Sequence, residues 1–475
     1  LAYIGNKPTI GNFQICDAIS VVNGQAAYTM QVGSVNVIPQ SSNHMIVSLN
    51  GTIQKSGGTN PSFTVSGSTI TFASNLATGD VIDFIQILGD VLDLGVPSDA
   101  TVTTAKLASN SVTYEKIGYN ANQYRNIIIN GDMSIAQRGT SVTGLQNSGG
   151  IYLIDRFSYR RDGTWSSAQF TMTQSTDVPT GQGFAKSLKM DCTTAESSPP
   201  SNVYASINQK FEGQNLQYLK KGTSSAESTT LSFWVKSNKT GTYIAEIDDD
   251  TNSRNINKSY TISSANTWEK KTITFAGDTS GTLNNTNAES LNVNFFLGAG
   301  SNFTSGTLAT SWESTTNANR AVGQVNLADS TSNEWYITGV QLEVSPNGEA
   351  SDFEFLPHDV NLQRCQRYCF AVPYSSGDAY HGILQGFFPN TTLFIGDMPF
   401  PTNMRAEPSL TTSGSFGLHG TSDFSASSFT LTNPTVENIH SVEFRCTTSG
   451  VTAGQGARFR NQNDASAKFI LSSEL

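Results

Sequence analysis

Along much of this chain apolar and polar residues alternate one by one, the period of a half-buried strand. In "HMIVSLNGTIQ" (44–54) the Asn50-Gly51 step separates two such runs, the pattern of a two-residue hairpin. "PSFTVSGSTITFAS" (61–74) repeats the design, with Phe63 and Val65, then Gly67, then Ile70 and Phe72. In "DVIDFIQILGDVLDLG" (80–95) the alternation runs through Val81, Asp83 and Ile85. Residues 1–95 therefore read as an N-terminal β-sandwich module.

A longer β-rich stretch occupies 121–357. Its clearest strands are "NIIING" (126–131), "TTLSFWVKS" (229–237), "TYIAEI" (242–247), "WEKKTITFAG" (268–277), "LNVNFFLGAG" (291–300) and "EWYITGVQLEV" (334–344). Leu231, Phe233 and Val235 point one way in the second, with Ser232, Trp234 and Lys236 opposite. In the fifth, Leu291, Val293, Phe295 and Leu297 line one face, and Asn292 and Asn294 the other. Such strands, joined by loops rich in Ser, Thr, Asn and Gly, predict an antiparallel sandwich, here a jelly roll. "DVNLQRCQRYCFAV" (359–372) is the one helical pattern. It sets Val360, Arg364 and Arg367 one turn apart, and likewise Cys365 and Cys369. Strands resume in "GILQGFF", "TLFIGDM", "SSFTLT", "HSVEFRCT" and "AKFILSSEL", so 358–475 is a helix followed by a small β domain.

Residues 96–120 follow neither period. "TVTTAKLASN" (101–110) aligns on "SVTYEKIGYN" (111–120), and Val102, Leu107, Val112 and Ile117 recur at half the ten-residue step. A lone extended segment cannot bury these side chains, whereas three copies wound about an axis bury them all. A homotrimeric stalk is the first reading and a polar interdomain linker the second. The whole is an all-β, elongated, multi-domain chain.

Only 14% of the 475 residues are charged, against roughly 25% in an average soluble protein. Disorder is excluded by 26 Phe and 15 Tyr. No apolar run approaches the ~18–20 residues of a membrane span, and no basic-then-apolar leader opens the sequence at Leu1. The net charge is −10 and no basic stripe exceeds two residues, so nucleic acid is not an expected partner. Five scattered cysteines form no disulfide framework and fit folding in a reducing cytoplasm.

"YRNIIINGDMSIAQRGTS" (124–141), "IYLIDRFSYRR" (151–161), "TLSFWVKSNKTGTY" (230–243), "NTWEKKTITFAGDTSGTL" (266–283) and "NEWYITGVQLEVSP" (333–346) resemble the carbohydrate-binding-module-like body of phage tail fibres. They are similar above all to those of marine phages of cyanobacteria and related hosts. "LPHDVNLQRCQRYC" (356–369) resembles the helix joining that body to a distal tip, and 45–87 resembles small β modules on the N-terminal side. A tail-anchoring segment is not among the stretches that carry the resemblance. The resemblance implies a virion appendage assembled in the host cytoplasm. It would be a homotrimer held by tail or adaptor proteins, binding a host-surface glycan or protein without membrane insertion. A polysaccharide-degrading tailspike and a purely structural connector are the alternatives.

Candidate chemistry is sparse. Asp248-Asp249-Asp250, after Glu246, reads as a solvated turn before a calcium or catalytic site. Asp132 in "NGDM" is a weak candidate calcium ligand. The five His residues form no metal motif, and Cys365 and Cys369 read as packed helix thiols. No catalytic residue, metal or cofactor is assigned. Glycan recognition needs exposed aromatic rings among neutral hydrogen-bonders. Trp234, Trp268 and Trp335 lie in strand patterns and read as packing. Trp165 and Trp312 lie in polar segments, and Tyr374 and Tyr380 flank a Ser-Ser-Gly-Asp loop. These last four are the candidate platforms, with the tip loops first.

Overall fold

A computed structural model describes residues 13–88, 124–345, 348–373, 378–432 and 439–475. The proposed stalk residues Val102, Leu107, Val112 and Ile117 lie outside these, as does Tyr374. The chain divides into two compact units, Leu1–Gly118 and Tyr119–Leu475. Every strand pairing among the described residues is antiparallel, so the chain is all-β as its alternation predicts.

In the first unit one sheet runs in the order Gln14–Ile15, Ile82–Ile87, Met45–Leu49, Thr52–Ile53, and a second in the order Gln25–Thr29, Thr69–Leu76, Phe63–Ser66. Val47 and Ile85 from the first share a core with Phe63, Ile70 and Phe72 from the second, which makes a small sandwich. The Asn50-Gly51 hairpin forms with both residues at positive φ (52° and 72°), the geometry a two-residue turn requires. One expectation fails. The alternation through Val81, Asp83 and Ile85 is broken by a bulge, because Ser48 pairs with Phe84 while Leu49 pairs with Ile82. The Asp83 carboxylate takes hydrogen bonds from Gly51 N (2.7 Å) and Ser48 Oγ (2.8 Å), which holds the bulge and leaves Val81 outside.

The body of the second unit is a two-sheet sandwich. The six-stranded sheet runs Ser141–Leu145, Gln169–Ser175, Ser187–Thr194, Glu334–Val344, Thr229–Ser237, Glu269–Phe275. The seven-stranded one runs Ile151–Tyr152, Ser158–Asp162, Tyr204–Glu212, Glu289–Ala299, Gly241–Asp249, Arg254–Ile262, Glu313–Ser314. From Tyr204 onward the chain repeatedly crosses between the sheets, the wrapping of a jelly roll. Leu231, Phe233, Val235, Val293 and Phe295 fill the space between them as their alternation predicts. Asn292 and Asn294 are buried too. The segment after Ala299 folds back over their face, packing Phe303 and Ala321 on Tyr204, Ile244 and Phe296.

"NIIING" is not a strand. Ile127 N donates to Leu342 O (2.8 Å), while Ile129 exchanges both backbone bonds with the Gln209 side chain (2.7 and 2.9 Å). Amide side chains here replace a neighbouring strand, which period-two reading cannot anticipate.

The helix is shorter than its pattern, His358–Gln366. Tyr368 N closes a last turn on Cys365 O, and Cys369–Val372 then pairs with Lys468–Ser472 as a strand. Cys365 and Cys369 therefore do not share a helix face, although both thiols are buried. The large C-terminal sheet runs Asp423–Ser425, Phe416–His419, Gly456–Asn461, Gly382–Asn390, Leu393–Met404, Ile439–Thr447, Ser427–Thr432. Its core is a stack of phenylalanines, among them Phe388, Phe394, Phe444, Phe459 and Phe469. Of the adjacent pair, Phe388 is inside and Phe387 is 50% exposed.

Candidate functional site

The large C-terminal sheet presents a compact outward cluster. Along Gly456–Asn461 the residues Ala457, Phe459 and Asn461 are buried, so Arg458 and Arg460 face the other way. Arg460 pairs with Gly417 on one neighbouring strand and Gly382 on the other. A Cβ at Gly382 would lie 1.8 Å from Arg458 Nε, and one at Gly417 would lie 2.7 Å from Gln462 Oε1. The two glycines thus leave room for long side chains to lie flat on the sheet. The Arg460 guanidinium sits 4.6 Å from the ring centre of Tyr380, which is 44% exposed. Arg460 Nη2 also donates to Asp423 Oδ1 (2.8 Å), and Gln462 Nε2 donates to Asp423 Oδ2 (3.2 Å). His419 Nδ1 lies 2.6 Å from Asp423 Oδ1. These partners, His419 first, hold the Asp423 carboxyl below the usual carboxylate range. The result is one exposed ring, fixed cations and a hydrogen-bonded carboxylate, a set able to stack on a sugar and bond its hydroxyls.

A second row of aromatic and charged side chains crosses the body, with its central Tyr336 covered by its neighbours at 7% exposure. Lys236 stands opposite Tyr336, which stands opposite Lys189 on the next strand. Trp268 completes the row from the other side. Lys236 Nζ lies 4.3 Å from the Tyr336 ring centre and 5.6 Å from that of Trp268, and the Trp268 Nε1 donates to Asp177 (3.0 Å). Glu334 accepts from Lys189 (2.6 Å) and from the Tyr336 hydroxyl (2.7 Å). Burial pushes the Glu334 carboxyl up, but these two donors outweigh it and hold the group below its ordinary value. Trp268 packs as expected, edge-on against Tyr336 at 6.1 Å on the sheet surface.

The remaining candidates are not brought together. Trp165, expected at the surface, is 1% exposed and packs edge-on against Phe170 at 6.5 Å. Its backbone N donates to Asn147 Oδ1 (2.9 Å), so the polar neighbours serve the main chain while the ring goes inside. Trp312 is half-buried, its Nε1 bonded to Ala276 O (2.7 Å) and its ring 5.2 Å from Lys221 Nζ. Asp248 and Asp249 are buried rather than solvated. Asp249 pairs with buried Lys221, and Asp248 lies 3.5 Å from Arg160 and 3.7 Å from Arg320. Arg320 grips Glu246 with two bonds of 2.7 Å. Burial, then the neighbouring Glu246 charge, pushes Asp248 up to about 6. Asp132 Oδ1 accepts from Asn361 (3.1 Å). Among the described residues no three His, Cys, Asp or Glu side chains form a metal-binding group, and no helix is long and apolar enough to cross a membrane.

No protein-family model matches the chain, and no curated protein matches it. Solved structures similar to part of it include an enzymatically active domain of tailspike protein 4 from bacteriophage CBA120, at 17% identity and TM-score 0.25. That match covers 47% of this chain and 22% of the other. A putative sugar-binding protein from Bacteroides thetaiotaomicron matches at 12% identity and TM-score 0.27, over 46% of this chain and all of its own. A family 11 carbohydrate-binding module from Clostridium thermocellum matches at 12% and 0.23, over 43% and 96%. Likeness at this level assigns no function.

Proposed function

We propose that this chain is a subunit of a homotrimeric phage tail fibre. It binds a host-surface receptor, a glycan in the first place, without cleaving it, and the tip carries the contact. The observation that carries this reading is the outward Tyr380–Arg460–Asp423 cluster, on a sheet where Gly382 and Gly417 let Arg458 and Gln462 lie flat beside it. The resemblance of five body segments and the linking helix to tail fibres supplies the class. Tail or adaptor proteins hold the opposite end, and adsorption on the virion is the working state.

The test is adsorption of the purified full chain to host cells. Tyr380→Ala with Arg460→Ala is expected to lower binding at least tenfold, with little change from Trp165→Phe. Release of reducing ends from host polysaccharide by the wild-type chain overturns the non-catalytic part. A monomer in light scattering overturns the trimer. Loss of adsorption on Trp268→Ala, with none on the tip variant, moves the contact to the body.

A further inference from the structure

A cleft of about 530 Å³ opens where the body meets the helix His358–Gln366. That is within the range of pockets that hold small ligands, ~300–1,000 Å³. Ile127, Ile129 and Phe211 form apolar floor, while Tyr124, Gln214 and Asn215 stand exposed at the rim. Two guanidinium groups line it, and their situations differ. Arg367 is committed, its Nε and Nη2 each donating to Glu212 at 2.7 Å. Arg364 makes one long bond, Nη2 to Asn126 O at 3.4 Å, and pairs with no carboxylate among the described residues. Glu354, the carboxylate that bears on it electrostatically, is engaged by the backbone N–H groups of Tyr124 and Asn126. Burial pushes the Arg364 guanidinium below its ordinary value, outweighing the neighbouring Cys365 and Glu354 that pull it up. The Glu212 charge is cancelled by Arg367, so the cleft keeps one positive charge beside aromatic rings and amides.

We propose that this cleft binds a carboxylate-bearing sugar, a uronic acid unit of an acidic polysaccharide, with Arg364 pairing with the carboxylate. A planar guanidinium fork matches a carboxylate in two bonds. Neutral Gln214 and Asn215 suit hydroxyls, and the Tyr124 ring suits a pyranose face. The ligand class rests on the glycan reading above, but the site is separate from Tyr380.

The experiment is calorimetric titration of the full chain with trigalacturonic acid and with neutral galactotriose. The acid is expected to bind and the neutral sugar to bind at least tenfold more weakly. Arg364→Gln should weaken the acid at least tenfold, Arg364→Lys less, and Tyr380→Ala not at all. Asn215→Trp, at an exposed rim position, should block binding without touching the fold, which covers the case of an unstable Arg364 variant. Equal binding of both sugars, no binding of the acid at millimolar concentration, or unchanged binding by both Arg364→Gln and Asn215→Trp overturns the proposal. Loss of acid binding on Tyr380→Ala also overturns it and assigns the acid to the tip. Failure of the tip reading shows separately, as unchanged cell adsorption by the tip variant.

Discussion

Arg367 reaches from the end of the helix to Glu212 on the body and holds it with two bonds of 2.7 Å. Glu212 is fully buried, and the Tyr368 hydroxyl and Gln214 Nε2 add bonds of 2.5 and 2.7 Å. Around this pair Arg156 lies 3.5 Å from the Tyr368 ring centre and also binds Glu474, which Arg138 meets at 3.3 Å. The C-terminal domain is thus keyed into the body by charges largely removed from water, where breaking a pair costs more than the pair contributes. Arg367→Met is expected to destabilise the second unit by about 3–5 kcal/mol, read as a shift in urea midpoint. Arg367→Met with Glu212→Gln should recover part of that loss, since no charge is then stranded.

The same junction has two opposed responses to pH. Burial raises the Glu212 carboxyl, but Arg367 and Tyr368 outweigh it and hold the group below its ordinary 4.5. Its stabilisation is present at neutral pH and is lost as pH falls through the lowered folded value. Asp155 behaves in reverse, because burial outweighs Arg138 and Gln137 and pushes it from 3.8 up to about 6. Its contribution is complete below pH about 4 and is lost as pH rises through about 6. Asp155→Asn should therefore flatten the decline in unfolding free energy between pH 4 and 6. Glu212→Gln should instead flatten the acid limb. Urea midpoints taken from the acid limb up through about pH 6 separate the two.

Strand alternation made the fold legible and the site only partly so. Thr229–Ser237 and Glu334–Val344 are strands at their expected limits, the first because Leu231, Phe233 and Val235 share the inner face, the second although a register shift moves its inner set from Trp335 and Ile337 to Val340 and Leu342. "NIIING" misled because its backbone partners include the Gln209 amide, 80 residues away, and such a partner leaves no periodic trace. Trp165 misled for a related reason, since its polar neighbours bond the main chain and not the ring. Tyr380 was legible from its loop, but Arg460, Asp423 and His419 join it only through strand pairing that no local pattern encodes.

Trp165 should accordingly behave as a packing residue. Trp165→Ala is expected to cost ~3–5 kcal/mol, the usual range for emptying a buried aromatic site. Trp165→Phe should be milder, because it also removes an Nε1 that has no hydrogen-bond partner. Receptor affinity of whatever fraction stays folded should be unchanged in both. A lower affinity with an unaltered unfolding midpoint would show that the ring meets the receptor after all.

Gly131 follows the buried Ile127–Asn130 segment, and a Cβ there would lie 2.0 Å from Val340 O. That oxygen belongs to a central strand and cannot yield as a flexible side chain does. Gly131→Ala is expected to cost about 2 kcal/mol or more through overpacking. A midpoint within error of wild type would mean that the segment is free to move off Glu334–Val344.

Gly417 poses the opposite case. The atom nearest its would-be Cβ is Gln462 Oε1 at 2.7 Å, the far end of a flexible side chain. A β-branched residue suits a strand, so Gly417→Thr should keep stability within about 1 kcal/mol of wild type. Its side chain must nevertheless displace Gln462, which donates to Asp423 Oδ2 at 3.2 Å, and crowd Arg460, the residue paired with Gly417. Asp423 then loses one of the donors that orient it, and Arg460 is crowded where it meets Tyr380. The expected outcome is a chain that unfolds like wild type and adsorbs to host cells several-fold more weakly. Wild-type adsorption by a well-folded Gly417→Thr chain would mean that the Asp423–Gln462–Arg460 arrangement is not where the receptor lies, and would redirect mutagenesis to Trp268 on the body.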